Sequence, residues 1–249
     1  MKTSTAIFRG LMTSVALAST LAAAQAEDSI SGGVVKIGIL NDMASAYSDT
    51  VGEGLYQTVL WAVEDFGGKV NGAPIEVLNA DTQLKADVAS TTARRWIDED
   101  KVDVLIAGSG SPISLAAMEV GKEKGVAVLN TGVLSSDLSG KFCSEIATHW
   151  SLDTYAAARG GAKAGVAAGA KKWFFVAADY SFGEALQRDT QAELARLGGQ
   201  EIVGSVKAPL GTTDFSSFLL QAQGSGADTV AFANAGNDTM NSLKQANEF

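Results

Sequence analysis

The sequence is short of the residues from which metal and redox sites are made. One cysteine, Cys143, and one histidine, His149, stand among 249 residues. Two such ligands are too few for a structural zinc centre, and no metal is expected. A lone cysteine cannot pair within these residues, so Cys143 is expected to be a buried small hydrophobe, with a partner beyond residue 249 as the alternative. Positive charge is also in the minority: 19 Lys and Arg face 28 Asp and Glu, a formal charge of −9. With no basic run or arginine-rich face, nucleic acid is excluded as a partner. There is no Walker A lysine pair. The turn Gly108-Ser109-Gly110 carries Ile113 where a dinucleotide fingerprint needs its third glycine, so no cofactor is expected. No serine-nucleophile motif accompanies His149. After the first residues, no apolar run is long enough to span a membrane.

Those first residues are what is present instead. Lys2 and Arg9 form a positive start, residues 11–24 are apolar and alanine-rich, and Ala24-Gln25-Ala26 fits the small-x-small cleavage rule. Residues 1–26 are therefore expected to be a cleaved signal peptide, giving an exported protein that begins near Glu27. No cysteine follows the apolar stretch, so no lipid anchor is expected.

Beyond it the chain alternates strand and helix. Residues 34–40 read as a first strand and 52–66 as an amphipathic helix, with Leu55, Val59, Ala62, Val63 and Phe66 at helical spacing. Asn71-Gly72 marks a turn, 75–78 a strand and 86–97 a second helix. Val102-Asp103-Val104-Leu105-Ile106-Ala107 is apolar enough for a central parallel strand, and 126–129 is the next. After an extended stretch at 144–150 the rhythm restarts. Helices are expected at 151–168, 183–197 and 215–224, and strands at 172–178, 200–206 and 228–233. The expectation is an α/β protein of two doubly wound, Rossmann-like lobes joined by a hinge: residues 34–148, then 149–249, with the second lobe incomplete.

In such sheets ligands sit outside the carboxyl ends of the strands. That brings the loops at 41–50, 108–111 and 130–136 to one rim. Gly108 and Gly110 permit a sharp turn, Ser111 is a good N-cap and Pro112 suits the first helical position. A helix start presents free N–H groups and attracts anions. The turn is either half of a site for a small carboxylate or only a strand-to-helix link.

With these residues in place, the chain resembles the periplasmic solute-binding proteins of ABC transporters, in the branched-chain amino acid (Leu/Ile/Val) binding group. The marks include Val35-Lys36-Ile37-Gly38-Ile39-Leu40, Ala62-Val63-Glu64-Asp65-Phe66-Gly67-Gly68, Ser135-Ser136-Asp137-Leu138-Ser139-Gly140 and Asp179-Tyr180-Ser181-Phe182-Gly183. Each is weak alone, but their order runs through nearly all of the mature chain. The resemblance implies a type I fold that closes on a ligand between its lobes, no enzymatic activity, and a periplasmic location. It also implies a monomer that delivers an amino acid, amide or organic acid to an ABC permease. It implies that Ser109, Gly110, Ser111, Gly132, Val133 and Ser135 grip the ligand carboxylate, Ser111 and Ser135 through hydroxyl and amide and Val133 through its carbonyl. Tyr47 falls where an aromatic wall is usual, and Phe182 and Asn234 would meet the ligand from the second lobe. Members run well over a hundred residues longer, so the chain is expected to be C-terminally truncated.

Other readings stay open. Trp150 either stacks on the ligand or packs at the hinge. Asp42 and Asp179 either bind ligand amines or cap helices, and Tyr180 either meets the ligand or packs between the lobes. Arg94-Arg95 reads as a solvated helix face. A periplasmic sensing subunit would share the same lobes, and an exported α/β hydrolase is the enzyme alternative.

Overall fold

Alternating apolar runs become two mainly parallel sheets in the computed structural model, which describes residues 31–248. The signal peptide expected over residues 1–26 lies outside the described residues. The first sheet holds β1 (Val35–Asn41), β2 (Lys69–Val70), β3 (Ala73–Asp81), β4 (Val104–Ala107), β5 (Ala127–Asn130) and β6 (Ala147–His149). Their order is β2-β3-β1-β4-β5-β6. All neighbours pair parallel except β2 with β3, which form a small antiparallel hairpin. Its turn is Asn71-Gly72, both residues at positive φ (49° and 85°), as a two-residue hairpin turn of the primed type needs. The sequence marked the turn but not the two-residue strand before it.

The second sheet holds β7 (Lys172–Ala178), β8 (Glu201–Ala208) and β9 (Thr229–Ala233), ordered β8-β7-β9 and fully parallel. The helices are α1 (Gly52–Asp65), α2 (Ala86–Arg95), α3 (Ser111–Lys124), α4 (Thr154–Ala167), α5 (Ser181–Leu197), α6 (Ser216–Gly224) and α7 (Asn237–Ala246). Both expected α/β units are therefore present. Among the described residues the chain passes between the sheets once, from the end of β6 at His149 to the start of α4 at Thr154.

Strand order decides where a ligand can sit. The chain steps from β1 outward to β3, then returns past β1 to β4. The loops after β1 and β4 leave in opposite directions, and a crevice opens at the carboxyl ends of these two strands. The second sheet repeats the move: β7 outward to β8, then back past β7 to β9.

Leu40, Leu105, Ile113, Val120 and Val128 are sealed between the first sheet and helices α2 and α3. In the second sheet, β7 sends alternate side chains to opposite faces, as the twofold period of a strand requires. Trp173 and Phe175 pack with Ala162 of α4 and Leu194 of α5, while Phe174 and Val176 pack with Phe215 and Leu219.

Three local expectations are corrected. The helix expected to reach residue 97 leaves α-geometry after Arg95 and continues as one wider turn, Trp96–Asp100, ended by Lys101 at φ 58°. That turn buries Trp96 under the sheet. The helix expected from residue 151 starts at Thr154, because Asp153 caps it by accepting the Ala156 N–H at 2.8 Å. Cys143 is exposed rather than buried. It sits in consecutive turns whose backbone bonds are local, Phe142 N–H to the Asp137 carbonyl and Cys143 N–H to that of Gly140, so no element folds over it.

The core makes a direct prediction. Leu105 is fully buried in the central strand β4, so Leu105→Ala leaves a cavity and costs about 2–5 kcal/mol in urea-unfolding measurements. A loss within ~0.5 kcal/mol, the surface range, would show that this strand is not central.

Candidate functional site

The two crevices face each other across a cavity of ≈ 310 Å³. The first sheet supplies Tyr47, Thr50 and Val51 from the loop after β1, Ser109, Gly110 and Ser111 after β4, and Gly132, Val133 and Leu134 after β5. The second sheet supplies Tyr180 and Phe182 after β7, and Ala235 and Gly236 after β9. No lining residue carries a charged side chain. Four helices, α1, α3, α5 and α7, begin at or beside this wall. Each helix start adds unpaired N–H groups and partial positive charge. The cavity is thus neutral in side chains and positive in backbone dipole, which suits a small anion.

Ser109 and Ser111 are 1% and 0% exposed, and neither hydroxyl has a hydrogen-bond partner. Ser111 was expected to cap α3. Instead Gly110 takes the cap position at φ 70°, ψ 137°, and Ser111 is the first helical residue. Only glycine adopts that φ without strain, and its use there leaves the Ser111 hydroxyl uncommitted. Gly132 explains how the loops come so close. A Cβ on it would strike the carbonyl oxygen of Gly108, so the loops after β4 and β5 touch backbone to backbone.

Tyr47 is held by a buried carboxylate. Asp42 accepts the Ser45 N–H (2.9 Å) and hydroxyl (2.6 Å) on one oxygen and the Tyr47 N–H (2.8 Å) on the other. Asp42 thus neither lines the cavity nor caps a helix, as its two readings had it, but anchors the loop after β1. The Tyr47 hydroxyl bonds that of Tyr180, joining the two sides of the cavity. Burial pushes the Tyr47 phenol up to about 12; the Tyr180 bond opposes this, and Asp238 and Asp42 add to it. Burial also raises the Tyr180 phenol, with Tyr47 and Asp238 contributing. Desolvation raises the Asp238 carboxyl, opposed by the Gly211 N–H that it accepts.

Of the ten residues singled out from sequence, Tyr47, Ser109, Gly110, Ser111, Gly132 and Phe182 line this wall. Val133 lines it too, but its carbonyl is taken. The Ser151 hydroxyl donates to it at 2.6 Å, and His149 Nε2 lies 2.6 Å from it. Three residues fall outside the lining. Ser135 is fully buried and caps the short turn Ser136–Leu138, accepting from Asp137 N–H. Asn234 is buried against Ser242 and Thr239. Trp150 is 71% exposed, its indole N–H turned onto the Thr148 hydroxyl at 2.7 Å. Asp179 is exposed and pairs with Lys207. His149 and Ser151 are 3.2 Å apart, yet both are spent on the Val133 carbonyl. Among the described residues no group of three or more His, Cys, Asp or Glu could hold a metal. Thr50, Val51 and Leu134 line the wall without having been singled out, and Ala235 and Gly236, among the residues expected around Asn234, line it in that residue's place. Their signal was position alone, next to residues already placed at strand ends.

With this geometry in hand, a family model described as periplasmic binding protein matches residues 34–249. The chain belongs to that family. Its members are solute-binding proteins rather than enzymes, and the family is a periplasmic one. A periplasmic binding protein from Burkholderia mallei is 44% identical, with a TM-score of 0.84 over 87% of this chain and 58% of that one. A branched chain amino acid ABC transporter periplasmic ligand-binding protein from Burkholderia xenovorans is 37% identical, with a TM-score of 0.69 over 86% and 57%. A Leu/Ile/Val-binding protein homologue from Brucella melitensis is 25% identical over 94% of this chain and 58% of its own length. The chain thus spans a little over half the length of these relatives.

The buried phenol fixes a pH response. Tyr47 keeps its proton in the fold above its ordinary value of 10.0 and up to about 12. Its contribution to stability is full below pH 10.0 and is lost as pH rises towards 12. Urea midpoints should fall across that window, and less steeply in Tyr47→Phe. Equal slopes in the two proteins would remove Tyr47 as a cause.

Proposed function

We propose that the chain is the ligand-gripping part of an exported, periplasmic solute-binding protein that delivers a small carboxylic acid to an ABC permease. The observation that carries this reading is the pair of buried, unpartnered hydroxyls of Ser109 and Ser111 at the start of α3. A carboxylate placed there would accept from both hydroxyls and from the Ser111 and Ile113 amides of the first helical turn, in which Pro112 has no N–H and Ser114 N–H is bonded to Gly110. Bonds to a charged acceptor are worth about 1.5–3 kcal/mol each, against the cost of leaving the hydroxyls empty. The rest of the wall suits the remainder of such a molecule: Val51, Val133, Leu134 and Phe182 are apolar, and a volume of ≈ 310 Å³ matches a small ligand.

Supply of the wall by both sheets supports a hinge mechanism. A ligand that touches both sides binds the closed form better than the open one and shifts the equilibrium towards it. A permease that recognises the closed form would then read occupancy as shape. The names of two relatives, a branched chain amino acid ligand-binding protein and a Leu/Ile/Val-binding protein homologue, support amino acids or related acids as candidates. Export through the signal peptide expected at residues 1–26 belongs to the same proposal.

A thermal-shift panel of leucine, valine, their amides, urea and aromatic acids tests the reading. A true ligand at a hundred times its dissociation constant stabilises by about 2.7 kcal/mol. The double variant Ser109→Ala with Ser111→Ala should weaken binding by at least tenfold, since ~1.4 kcal/mol is one decade, while still folding. A ligand whose affinity is the same for both proteins would place the carboxylate elsewhere.

A further inference from the structure

Beside the cavity, a second polar cluster joins the two halves of the molecule, and the ligand-binding reading does not use it. Asp189 lies on α5, seven residues after Phe182. Seven residues are two helical turns, so the two side chains share one face about 10 Å apart. Phe182 reaches the cavity, and Asp189 reaches the segment that follows the Val133-Leu134 wall. Asp189 Oδ2 accepts two hydroxyls at 2.6 Å each: Ser136 from the first lobe and Thr154 from the start of α4 in the second. Thr154 returns to the same segment, its hydroxyl accepting the Ser136 N–H (3.0 Å) and its own N–H donating to the Leu134 carbonyl (2.6 Å). Arg188 closes the ring. It pairs with Asp137 at 2.9 Å and with Asp189 at 3.0 Å, and donates to the Ser136 hydroxyl at 2.9 Å.

The cluster is more than a surface ion pair. Thr154 is fully buried, and the Asp189 and Asp137 side chains are 11% and 14% exposed. A shielded carboxylate with two hydroxyl donors is a fixed point, whereas exposed pairs contribute little. We propose that Asp189 is a positioning residue that sets the resting separation of the lobes, by holding Ser136 of one lobe and Thr154 of the other on a single oxygen. Through α5 it fixes how closely Phe182 approaches the Val133-Leu134 wall. It touches no lining residue's polar group, so its effect on the cleft is transmitted by rigid helix.

The test needs no ligand and therefore stands apart from the panel above. Spin labels on the exposed Cys143 and on Lys244→Cys report the distance between the lobes in the ligand-free chain. Asp189→Ala should shift that distribution to longer distances and broaden it, with circular dichroism unchanged. Asp189→Asn should fall between, because its amide oxygen still accepts hydroxyls while the partner for Arg188 is lost. Should Asp189→Ala fail to fold, Ser136→Ala with Thr154→Val removes both hydroxyls and leaves the carboxylate paired with Arg188. That variant should lengthen the distance in the same way. A wild-type distance distribution in a folded Asp189→Ala, or in the Ser136→Ala, Thr154→Val variant, would overturn the proposal.

Discussion

A hydroxyl shut away from water without a partner costs a fold about 1–3 kcal/mol, and this chain carries two of them within three residues. Ser109 and Ser111 could have been alanine or could have capped α3. They do neither: Gly110 takes the cap with a positive φ in place of Ser111, and both hydroxyls are left without a partner. Their cost is local and persists only because the surroundings hold it in place. Gly132 presses on the Gly108 carbonyl from one side. On the other, Asp42 ties down the loop that brings Tyr47 in. Buried polar groups left without a partner call for an explanation, and a place kept ready for a ligand supplies one.

The rest of the architecture converges on that place. Each sheet reverses its strand order once, and each reversal opens a crevice at the carboxyl end of its strands. Turned towards each other, the two crevices make a single cavity lined by backbone dipoles and uncharged side chains. Helix starts can stabilise an anion without the desolvation cost of a buried arginine or lysine. They also leave the ligand's far side to apolar contacts, where shape decides. The Tyr47–Tyr180 bond and the Asp189 cluster cross from one side to the other at different edges of the cavity. Tyr47 and Tyr180 therefore both complete the wall and relate the two lobes in space, while the Asp189 cluster relates them from outside the lining.

Much of this was legible in the residues. Apolar runs separated by glycine turns placed nearly every long strand and helix, because burial on both faces of a parallel strand leaves a compositional trace. The rule that ligands sit at strand ends found the loops after β1, β4 and β5, and glycines marked where backbones meet. What could not be read were the orientations of single side chains. Ser135, Asn234 and Trp150 sit within a few residues of the wall, yet each turns to a neighbour: a short turn, Ser242 and Thr148. Nothing in composition or periodicity distinguishes a serine that caps from one that waits. The Val133 carbonyl was lost in the same way, to His149 and Ser151 beyond it in sequence. The exposure of Cys143 depends on turn geometry rather than residue type.

On the proposed function, Ser109 and Ser111 receive a carboxylate. A crystal structure of the ligand-bound protein tests it most directly, through the distances from their hydroxyl oxygens to the ligand. Carboxylate oxygens are expected within about 2.5–3.0 Å of both hydroxyls, the ordinary range for O–H donors, at the start of α3. A bound ligand with its acid group elsewhere in the cleft, and both serines still without partners, would contradict it.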